Sequence, residues 1–426
     1  MARYFLKTFG CKVNQVESDE LFEALEHIGA QRVANLMEAD FAIVNTCTVT
    51  GEADRKVRKE LRKAARFPNV VSVIVTGCSA ALLKDELEAL DEKIQVAPDK
   101  KDIVTALSKH SDSVPVLTDL NDSNTQKSAT AQKRIRIPIK VQDGCEDFCS
   151  YCIVPFARGK CSSVSADEII SRIKSLADTG TKEVILTGIN LGNYSDVDTN
   201  TTSFTALLKR IQAETDIYRV RLSSIEPRHL TGDLLDFFAE SELLCEHFHI
   251  PLQSGSDYVL GDMNRSYSAN EYRQVVESIR KIKPHTAITT DIIVGYPSES
   301  DDDFQQTLEL AKELQFSKTH IFRYSPRTGT AAERLKPLHP RTMWQRVDTL
   351  QRQAVADEVR YYDSRLASEV ELIIEEFTEY DDVPHVKGTT REYLRLDLPV
   401  ESLSADAQDV QPGDILQLEV SLEDHL

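Results

Sequence analysis

The chain has 426 residues and a formal net charge of −19, from 69 acidic and 50 basic residues. This length is sufficient for two or three domains with cores of their own. The acidic balance argues against a general nucleic-acid-binding protein, and no apolar run is long enough for a membrane span. The first residues lack the pattern of a signal peptide. We therefore expect a cytoplasmic protein whose eight cysteines are reduced thiols or metal ligands.

Residues 1–110 alternate short apolar runs with amphipathic segments, which predicts βα units and a parallel sheet. The predicted strands are Arg3–Phe9, Asp40–Asn45 and Val70–Val75. The predicted helices are Gln15–Gly29, Glu52–Phe67 and Leu82–Leu90. A cysteine closely follows each strand: Cys11, Cys47 and Cys78. Ligands gather outside the carboxyl ends of strands in open α/β sheets, so we expect these thiols to converge on an iron–sulfur cluster with one open iron. Three unrelated buried cysteines are the alternative.

The helix predicted after Cys47 has two opposite faces at helical spacing. The stripe expected to be buried consists of Val57, Leu61, Ala64 and Ala65. The basic stripe consists of Arg55, Arg58, Lys59, Arg62 and Arg66. The basic stripe suits a guide for phosphates, although a solvated surface explains it equally well. Residues 111–134 are rich in small polar residues, which predicts a linker.

The most specific motif is Cys145-x3-Cys149-x2-Cys152, in a short loop after the apolar run Ile135–Val141. Three thiolates bind three irons of a [4Fe–4S] cube and leave the fourth iron open to a reacting molecule. Tyr151 completes the pattern Cys-x3-Cys-x-aromatic-Cys, which is typical of radical S-adenosylmethionine (SAM) enzymes. A zinc site is the alternative, but zinc motifs favour paired cysteines and no second pair lies nearby.

Residues 135–365 contain six predicted βα repeats, which make a partial rather than a full eight-stranded barrel. The predicted strands are Ile135–Val141, Glu183–Thr187, Val220–Ser223, His247–Ile250, Ala287–Val294 and Lys318–Phe322, with helices at 165–178, 203–214, 231–240, 268–282, 301–314 and 341–362. Polar segments follow the strands at their carboxyl ends, where barrel enzymes place their chemistry. Ordinary turn chemistry explains each segment alone, but their shared position predicts a site. The lone Trp344 is interpreted as a packing residue rather than a platform for a base.

Residues 366–426 change to β-like alternation, which predicts a small antiparallel barrel. The predicted strands are Glu369–Glu375, His385–Leu398 and Ile415–Val420. On the strand through residues 387–395, one face is expected to carry Lys387, Thr389, Arg391, Tyr393 and Arg395. A basic face with an interleaved aromatic suits a narrow contact with RNA.

With both cysteine sets in view, the chain resembles the methylthiotransferases of the radical-SAM class over essentially its whole length. The segments GCKVNQVES and NTCTVT are most similar to the MtaB-like branch, which modifies N6-threonylcarbamoyladenosine beside the tRNA anticodon. The resemblance implies an α/β architecture of three parts: a parallel-sheet cluster domain (1–110), a partial (β/α)6 radical-SAM barrel (135–365) and a small antiparallel TRAM-like β-barrel (366–426).

The resemblance also implies roles for individual residues. Cys145, Cys149 and Cys152 would hold the SAM cluster, and Cys11, Cys47 and Cys78 an auxiliary cluster. Residues implied to bind SAM are Tyr151, Thr187, Gly188, Asn190, Ser224, Glu226, Gln253, Asp291 and Gly295. No catalytic residue is expected beyond the cluster ligands, and Cys161 and Cys245 are interpreted as structural.

The implied reaction adds a methylthio group to carbon 2 of the adenine, with two [4Fe–4S] clusters and two molecules of SAM. The implied partners are the anticodon loop of tRNA and an electron donor such as a flavodoxin or ferredoxin, and a monomer without membrane contact is expected. Alternative functions are the same chemistry on isopentenyladenosine in tRNA or on a ribosomal protein. An iron–sulfur RNA-binding protein without enzymatic activity and a zinc-binding scaffold are alternatives of other classes.

Overall fold

The structure is a computed structural model that describes residues 1–109, 134–403 and 409–419. These residues fall into two compact units. The first unit comprises Met1–Gln132, Asp143–Ser162 and Ser325–Glu333, and the second comprises Lys133–Gln142, Ser163–Tyr324 and Arg334–Leu426. The linker predicted for residues 111–134 lies, except for Arg134, outside the described residues. The predicted domain boundaries stay predictions.

The first unit contains a five-stranded parallel sheet in the order β2-β1-β3-β4-β5. Its strands are β1 (Arg3–Thr8), β2 (Gln31–Arg32), β3 (Phe41–Thr46), β4 (Ser72–Gly77) and β5 (Ile94–Val96). Its helices are α1 (Lys12–His27), α2 (Gly51–Ala65), α3 (Cys78–Leu82), α4 (Lys84–Glu88), α5 (Lys100–Ser108) and α6 (Val154–Arg158). Separate cores form around Tyr4 and Ile43 and around Val44 and Val75. Neighbouring residues of one strand lie on opposite faces, so both faces of the sheet are buried.

The helix that follows Cys47 confirms the predicted pattern of two faces. The side chain of Thr50 accepts a hydrogen bond from the backbone of Ala53 and caps α2. All four residues of the predicted buried stripe are buried. By contrast, the helix predicted over Leu82–Leu90 has the wrong bounds. A helix already begins at Cys78, and Leu83 interrupts it, so that two short helices, α3 and α4, are formed.

The second unit is built on six parallel strands in chain order. They are β6 (Arg136–Lys140), β9 (Glu183–Thr187), β10 (Arg219–Leu222), β11 (His247–His249), β12 (Ala287–Val294) and β13 (Lys318–Arg323); β7 (Gln142–Asp143) and β8 (Ser162–Ser163) are two-residue strands. Isolated parallel bridges, Val220 to Leu244 and Ser224 to His249, connect the sheets β6-β9-β10 and β11-β12-β13. The predicted partial (β/α)6 barrel is therefore confirmed.

Helices cover the outer face of this barrel. They are α7 (Ala166–Asp178), α8 (Phe204–Glu214), α9 (Gly232–Glu240), α10 (Asp257–Asp262), α11 (Ala269–Ile282), α12 (Asp301–Leu314) and α13 (Pro340–Asp363). Their apolar faces join strand residues such as Val184, Leu222 and Ile292 in the largest core. Since side chains alternate along a strand, the inner face is left to polar residues such as Glu183, Arg221 and Asp291. Among the described residues, no helix has the length and apolar character needed to cross a membrane.

A buried ionic network lies on the inner face at the amino ends of the first three strands. The carboxylate of Glu183 is fully buried and accepts hydrogen bonds from Nε of Arg136, Arg219 and Arg221 at 2.7–2.8 Å. The guanidiniums of Arg219 and Arg221 also donate to the backbone oxygens of Thr389 and Thr390, both at 2.8 Å. The network therefore anchors the C-terminal sheet to the barrel strands.

The C-terminal region forms a four-stranded antiparallel sheet in the order β16-β15-β14-β17. Its strands are β14 (Glu369–Tyr380), β15 (Val383–Thr390), β16 (Arg395–Pro399) and β17 (Ile415–Glu419). This agrees with the predicted antiparallel β architecture, but the single strand predicted over His385–Leu398 is wrong. The chain turns between β15 and β16, where Tyr393 has a φ of +67°.

Because of this turn, the expected basic face through residues 387–395 is not formed. Thr389 is buried, and the ring of Tyr393 stacks on that of His247 with 4.1 Å between their centres. The ammonium group of Lys387 lies 3.4 Å from the carboxylate of Asp397. The guanidinium of Arg391 donates to backbone oxygens of the barrel, which include that of Leu244. Most of these side chains are engaged within the unit, so the predicted single basic strand face is wrong, whereas a contact of this region with RNA stays a prediction.

Candidate iron–sulfur centre and cofactor pocket

The structure brings Cys11, Cys47 and Cys78 together at the carboxyl edge of the first sheet. Cys11 precedes α1, Cys47 directly follows β3, and Cys78 is the first residue of α3. A Cβ atom built on Gly10 would lie only 2.9 Å from Cβ of Cys47. The thiols of Cys11 and Cys47 are also close enough to that of Cys78 to raise its pKa. The predicted convergence of three strand-end thiols is therefore seen in the structure.

Electrostatics at this site favours a cationic ligand. Burial raises the pKa of Cys47, and it raises the pKa of Cys78 to about 12. Each thiolate would also be repelled by the other two, and Arg158 is a cation that counteracts this effect at Cys78. Bound metal ions stabilise thiolates and remove their protons. The donor set of three clustered thiols therefore fits the iron of a cluster.

A polar network fixes the backbone around these thiols. The amide nitrogen of Asn14 donates to the backbone oxygen of Thr46 at 2.8 Å. The hydroxyl of Ser79 donates to the backbone oxygen of Cys47 at 3.0 Å, which links α3 to the end of β3. Gly77 has a φ of +86°, and a Cβ atom there would lie 2.6 Å from the backbone oxygen of Thr46. Glycine is required at this position, because a side chain would push apart the two segments that carry Cys47 and Cys78.

The second set of cysteines lies in a compact loop of the same unit. The backbone nitrogen of Cys152 donates to the oxygen of Cys149 at 2.9 Å, and that of Cys145 donates to the oxygen of Gly159 at 3.2 Å. Burial raises the pKa of Cys145, and the nearby carboxylate of Asp147 and the thiol of Cys152 raise it further. Cys145 and Cys149 are buried, and Cys152 is half-buried. Three clustered thiols fit three irons of a cube here as well.

Arg158 connects the two sets of cysteines, and sequence reasoning missed it. This residue ends α6, the short helix that follows Cys152, and its side chain is largely buried. Its guanidinium donates to Oδ1 of Asn14 and to Oε1 of Glu17, both at 2.9 Å, and to Asp143 at 3.0 Å. Both Asn14 and Glu17 belong to α1, the helix that follows Cys11. The only sequence signal is the position of a basic residue shortly after the cysteine loop.

A second arginine of the first unit fixes the start of α2, and it was also missed. The guanidinium of Arg327 donates to Asp54 at 2.6 Å and to the hydroxyl of Thr48 at 2.5 Å. Asp54 and Thr48 are buried, and they lie just after Cys47. The hydroxyl of Ser325 accepts a hydrogen bond from the backbone of Gly51 at 2.9 Å. Residues 325–333 therefore support the segment that positions Cys47.

In the second unit, Thr187 ends β9, and the backbone of residues 188–190 lies against the side chain of Gln142. The amide oxygen of Gln142 accepts hydrogen bonds from the backbone nitrogens of Ile189 and Asn190, both at 2.9 Å. A Cβ atom on Gly188 would lie 3.0 Å from this oxygen. Within the described residues, the buried amide nitrogen of Asn190 has no hydrogen-bond partner. A buried donor without an acceptor is costly, so it fits an acceptor group of a bound cofactor.

The other predicted pocket residues of the second unit follow or lie within the next three strands. The carboxylate of Glu226 forms an ion pair with the guanidinium of Arg265 at 2.8 Å. The backbone oxygen of Ser224 accepts a hydrogen bond from the backbone nitrogen of Leu191 at 3.2 Å. Gln253 has a φ of +65° and forms an isolated bridge with β12. The structure thus places Ser224, Glu226 and Gln253 just beyond the carboxyl ends of β10 and β11.

Asp291 and Gly295 take different positions relative to β12. Gly295 directly follows the strand, and its backbone nitrogen donates to the buried carboxylate of Glu299 at 2.9 Å. Asp291 lies within the strand rather than at its end. Tyr151 is half-buried and lies in the first unit, next to Cys152. The roles of all predicted pocket residues as SAM ligands stay predictions.

Asp291 belongs to a polar cluster on the inner face of β11, β12 and β13. One possible ligand atom from each of His249, Asp291 and His320 lies within 4.8 Å of the others. Nε2 of His249 lies 3.3 Å from the carboxylate of Asp291, and its Nδ1 lies 2.9 Å from the hydroxyl of Thr289. Burial lowers the pKa of His320. This part of the barrel therefore offers hydrogen-bonding groups rather than an apolar surface.

Two protein families match the chain. Residues 139–311 match the radical SAM superfamily, and residues 3–97 match an uncharacterised protein family designated UPF0004. The first range contains the loop with Cys145, Cys149 and Cys152, and the second contains Cys11, Cys47 and Cys78. Each family therefore covers one of the two sets of thiols.

Several proteins are similar to the chain over most of its length. It is 37% identical over 376 residues to the threonylcarbamoyladenosine tRNA methylthiotransferase MtaB of Thermotoga maritima, which covers 87% of this chain and 86% of that protein. The protein of the same name from Bacillus subtilis is 32% identical, and the alignment covers 93% of this chain and 90% of that protein. The tRNA-2-methylthio-N(6)-dimethylallyladenosine synthase of Endomicrobium trichonymphae is 34% identical, and the alignment covers 77% of this chain and 78% of that protein.

The fold is also similar to that of a solved structure. The radical SAM methyltransferase TsrM from Kitasatospora setae, solved with cobalamin and a [4Fe–4S] cluster, aligns with a TM-score of 0.55 and 16% identity. The alignment covers 78% of this chain and 77% of that one. At this identity the comparison supports the radical-SAM architecture alone.

Proposed function

The chain belongs to the radical-SAM methylthiotransferase family, and from that premise we propose that it adds a methylthio group to carbon 2 of N6-threonylcarbamoyladenosine beside the anticodon of tRNA. Membership makes the chain a transferase with two [4Fe–4S] clusters and SAM as cofactors. The tRNA substrate and its N6 substituent are the proposed parts. Relatives named for this substrate are 32–37% identical to the chain.

The observation that carries the proposal is the pair of thiol sets within the first unit. In the proposal, Cys145, Cys149 and Cys152 hold the cluster that binds SAM, and Cys11, Cys47 and Cys78 hold the auxiliary cluster. When bound, these clusters would pass an electron from an external reductant to SAM for its cleavage and would support the transfer of sulfur. A non-enzymatic RNA-binding protein or a zinc scaffold has no need for two such sets.

The protein's own residues then position the reactants and exclude water. The salt bridges of Arg158 to Glu17 and Asp143 hold the helix after Cys152 against the helix after Cys11. Burial of Cys47, Cys78, Cys145 and Cys149 keeps solvent from the sulfur atoms. Such fixed placement lets two reactions take place at adjacent positions without loss of a reactive species to solvent.

The residues proposed to bind SAM offer polar groups at the carboxyl ends of the barrel strands. The free amide nitrogen of Asn190 suits an acceptor group of SAM. Glycine at 188 and 295 avoids clashes, because a Cβ atom there would lie 3.0 Å from the side chain of Gln142 and 2.8 Å from that of Met343, respectively. In the proposal, Thr187, Ser224, Glu226 and Gln253 complete this pocket.

The polar inner face of the barrel supports the choice of N6 substituent. A threonylcarbamoyl group carries a carboxylate and a hydroxyl, whereas a dimethylallyl group is apolar. Asp291 and His320 offer hydrogen-bond partners to the former, whereas an apolar group would gain no hydrogen bond from them. The cluster therefore favours the polar substituent over isopentenyladenosine.

Mass spectrometry of tRNA nucleosides tests the proposal. In a strain that lacks the gene, we expect 2-methylthio-N6-threonylcarbamoyladenosine to disappear and the wild-type gene to restore it. A Cys78→Ala gene should fail to restore it, whereas Cys161→Ala is the matched control and should succeed. Unchanged methylthio content in the deletion strain would overturn the tRNA assignment. Loss of the methylthio group from isopentenyladenosine alone would overturn the choice of substituent.

A further inference from the structure

The only tryptophan of the chain is exposed at the start of α13. The side chain of Trp344 is 56% exposed, so its interpretation as a packing residue is wrong. The guanidinium carbon of Arg323 lies 4.2 Å from the centre of its indole ring. A cation–π contact of this kind orients the ring while much of it stays accessible to a partner. Phe322, the neighbour of Arg323, is 39% exposed.

The segment that leads into Trp344 is basic, although the chain as a whole has a net charge of −19. Residues 334–346 contain no acid and four basic residues. Three of them, Arg334, Lys336 and Arg341, are exposed, and none has an ion pair in the described part of the chain. The fourth, Arg346, is held by Glu299 and Asp301. The three exposed charges are therefore available to an anionic partner.

The position of Trp344 relates it to the carboxyl ends of the barrel strands. Arg323 is the last residue of β13. Met343, which precedes Trp344, packs against Gly295 just after the end of β12. Substrates of barrel enzymes bind at this end of the strands. An exposed aromatic at this edge, preceded in the chain by the exposed cations Arg334, Lys336 and Arg341, matches the surface that single-stranded nucleic acids bind.

We propose that Trp344 and Arg323 form a stacking platform for an unpaired base of the RNA substrate, with Arg334, Lys336 and Arg341 contacting neighbouring phosphates. Unpaired loop bases stack on aromatic rings and guanidinium planes, which distinguishes them from bases in a helix. This inference rests on the proposed function, because it assigns part of the contact with the tRNA anticodon loop. The segment around Trp344 thus offers exposed basic residues, whereas many basic side chains of the C-terminal sheet are paired within the second unit.

Intrinsic fluorescence tests the platform directly, because Trp344 is the only tryptophan. The cluster-loaded protein is titrated with an anticodon stem–loop RNA, and binding is followed in parallel by the anisotropy of a label on the RNA. We expect saturable quenching of the indole with the same midpoint as the anisotropy change. A blunt duplex without a loop should cause no comparable quenching. Binding of the stem–loop without any change in fluorescence would overturn the platform.

Substitutions provide an independent test. Trp344→Ala should weaken binding of the stem–loop about 5- to 150-fold, because stacking contributes about 1–3 kcal/mol per base, and Trp344→Phe should retain most of the affinity. Tyr258→Ala is the matched control, since Tyr258 is an aromatic residue with 67% exposure in α10, and it should bind normally. Equal affinity of wild-type and Trp344→Ala would overturn the proposal.

The basic residues are tested by the salt dependence of binding. Replacement of Arg334, Lys336 and Arg341 by Gln should make the slope of log affinity against log salt about two units less steep, because each phosphate contact to a single strand contributes about 0.7. An unchanged slope would overturn their assignment. If wild-type protein neither binds nor modifies the stem–loop, the proposed function itself fails. If the wild type modifies it and the Trp344 variant does so equally well, only the platform fails.

Discussion

Nη1 of Arg158 lies 2.9 Å from Oε1 of Glu17. Arg158 comes six residues after Cys152, and Glu17 comes six residues after Cys11. This partly buried salt bridge therefore ties together the two helices that begin beside the two cysteine sets. In the proposed mechanism, the same contact keeps the clusters at a fixed separation.

Arg158→Gln should lower the stability of the first unit by about 1–3 kcal/mol, because Glu17 and Asp143 would lose a buried partner. Chemical denaturation of the cluster-loaded protein measures the change. Arg3→Gln is the matched control: the Arg3–Asp40 pair is more exposed, so its loss should change the stability much less. Equal effects of the two substitutions would show that Arg158 does not organise the site.

Gly77→Ala should disrupt the auxiliary site. A Cβ atom there would lie 2.3 Å from the side-chain oxygen of Asn45, in a backbone conformation with a φ of +86°. Gly180→Ala is the control, because Gly180 has a φ of +90° but no atom within 4 Å of the built Cβ. We expect Gly180→Ala to cost about 1 kcal/mol and to keep its iron, and Gly77→Ala to lose iron from one cluster. Full iron content in Gly77→Ala would contradict the placement of Cys78.

Glu183→Gln should destabilise the second unit by about 3–5 kcal/mol, because it leaves three buried guanidiniums without their shared carboxylate. Two of these, Arg219 and Arg221, also hold the backbone of the C-terminal sheet. Limited proteolysis should therefore release that sheet sooner in the variant. Glu214→Gln, which breaks a surface pair with Arg210, should leave both stability and proteolysis nearly unchanged.

The same carboxylate predicts a dependence of stability on pH. Burial alone would raise the pKa of Glu183, but the charges of Arg221, Arg136 and Arg219 hold it below its ordinary value. A lowered pKa stabilises the folded state above the unfolded-state value of about 4.3, and this stabilisation is lost as pH falls through the folded-state pKa. The stability difference between wild type and Glu183→Gln should be constant from pH 7 to about 5 and shrink below about 4. A difference that grows with acid would contradict this.

The sequence predicted the parallel strands and the convergence of Cys11, Cys47 and Cys78, because period-two patterns and strand-end positions are local signals. It failed where the chain turns without a strong signal. The turn at Tyr393 contains no glycine or proline to mark it. The alternating pattern of β15 and β16 therefore predicted one continuous strand where the structure has two. The short helix that starts at Cys78 was also placed several residues too late.

Sequence reasoning also missed the partners that hold the site together. Arg158, Arg327 and Gln142 act through contacts with residues that are distant along the chain, and no spacing rule identifies such pairs. The exposure of Trp344 was misjudged for a related reason. Its helix is amphipathic, but the face on which the indole lies depends on tertiary packing around Gly295 and Arg323.

In the proposed enzyme, two separate trios of cysteines each hold one cluster. Iron analysis with electron paramagnetic resonance on anaerobically loaded protein distinguishes two clusters from one. The wild type should contain about eight irons per chain, and replacement of Cys145, Cys149 and Cys152 by Ala should leave about four, with one cluster signal and no 5′-deoxyadenosine formed from SAM. Complete loss of iron, or no loss, in this triple variant would contradict the account.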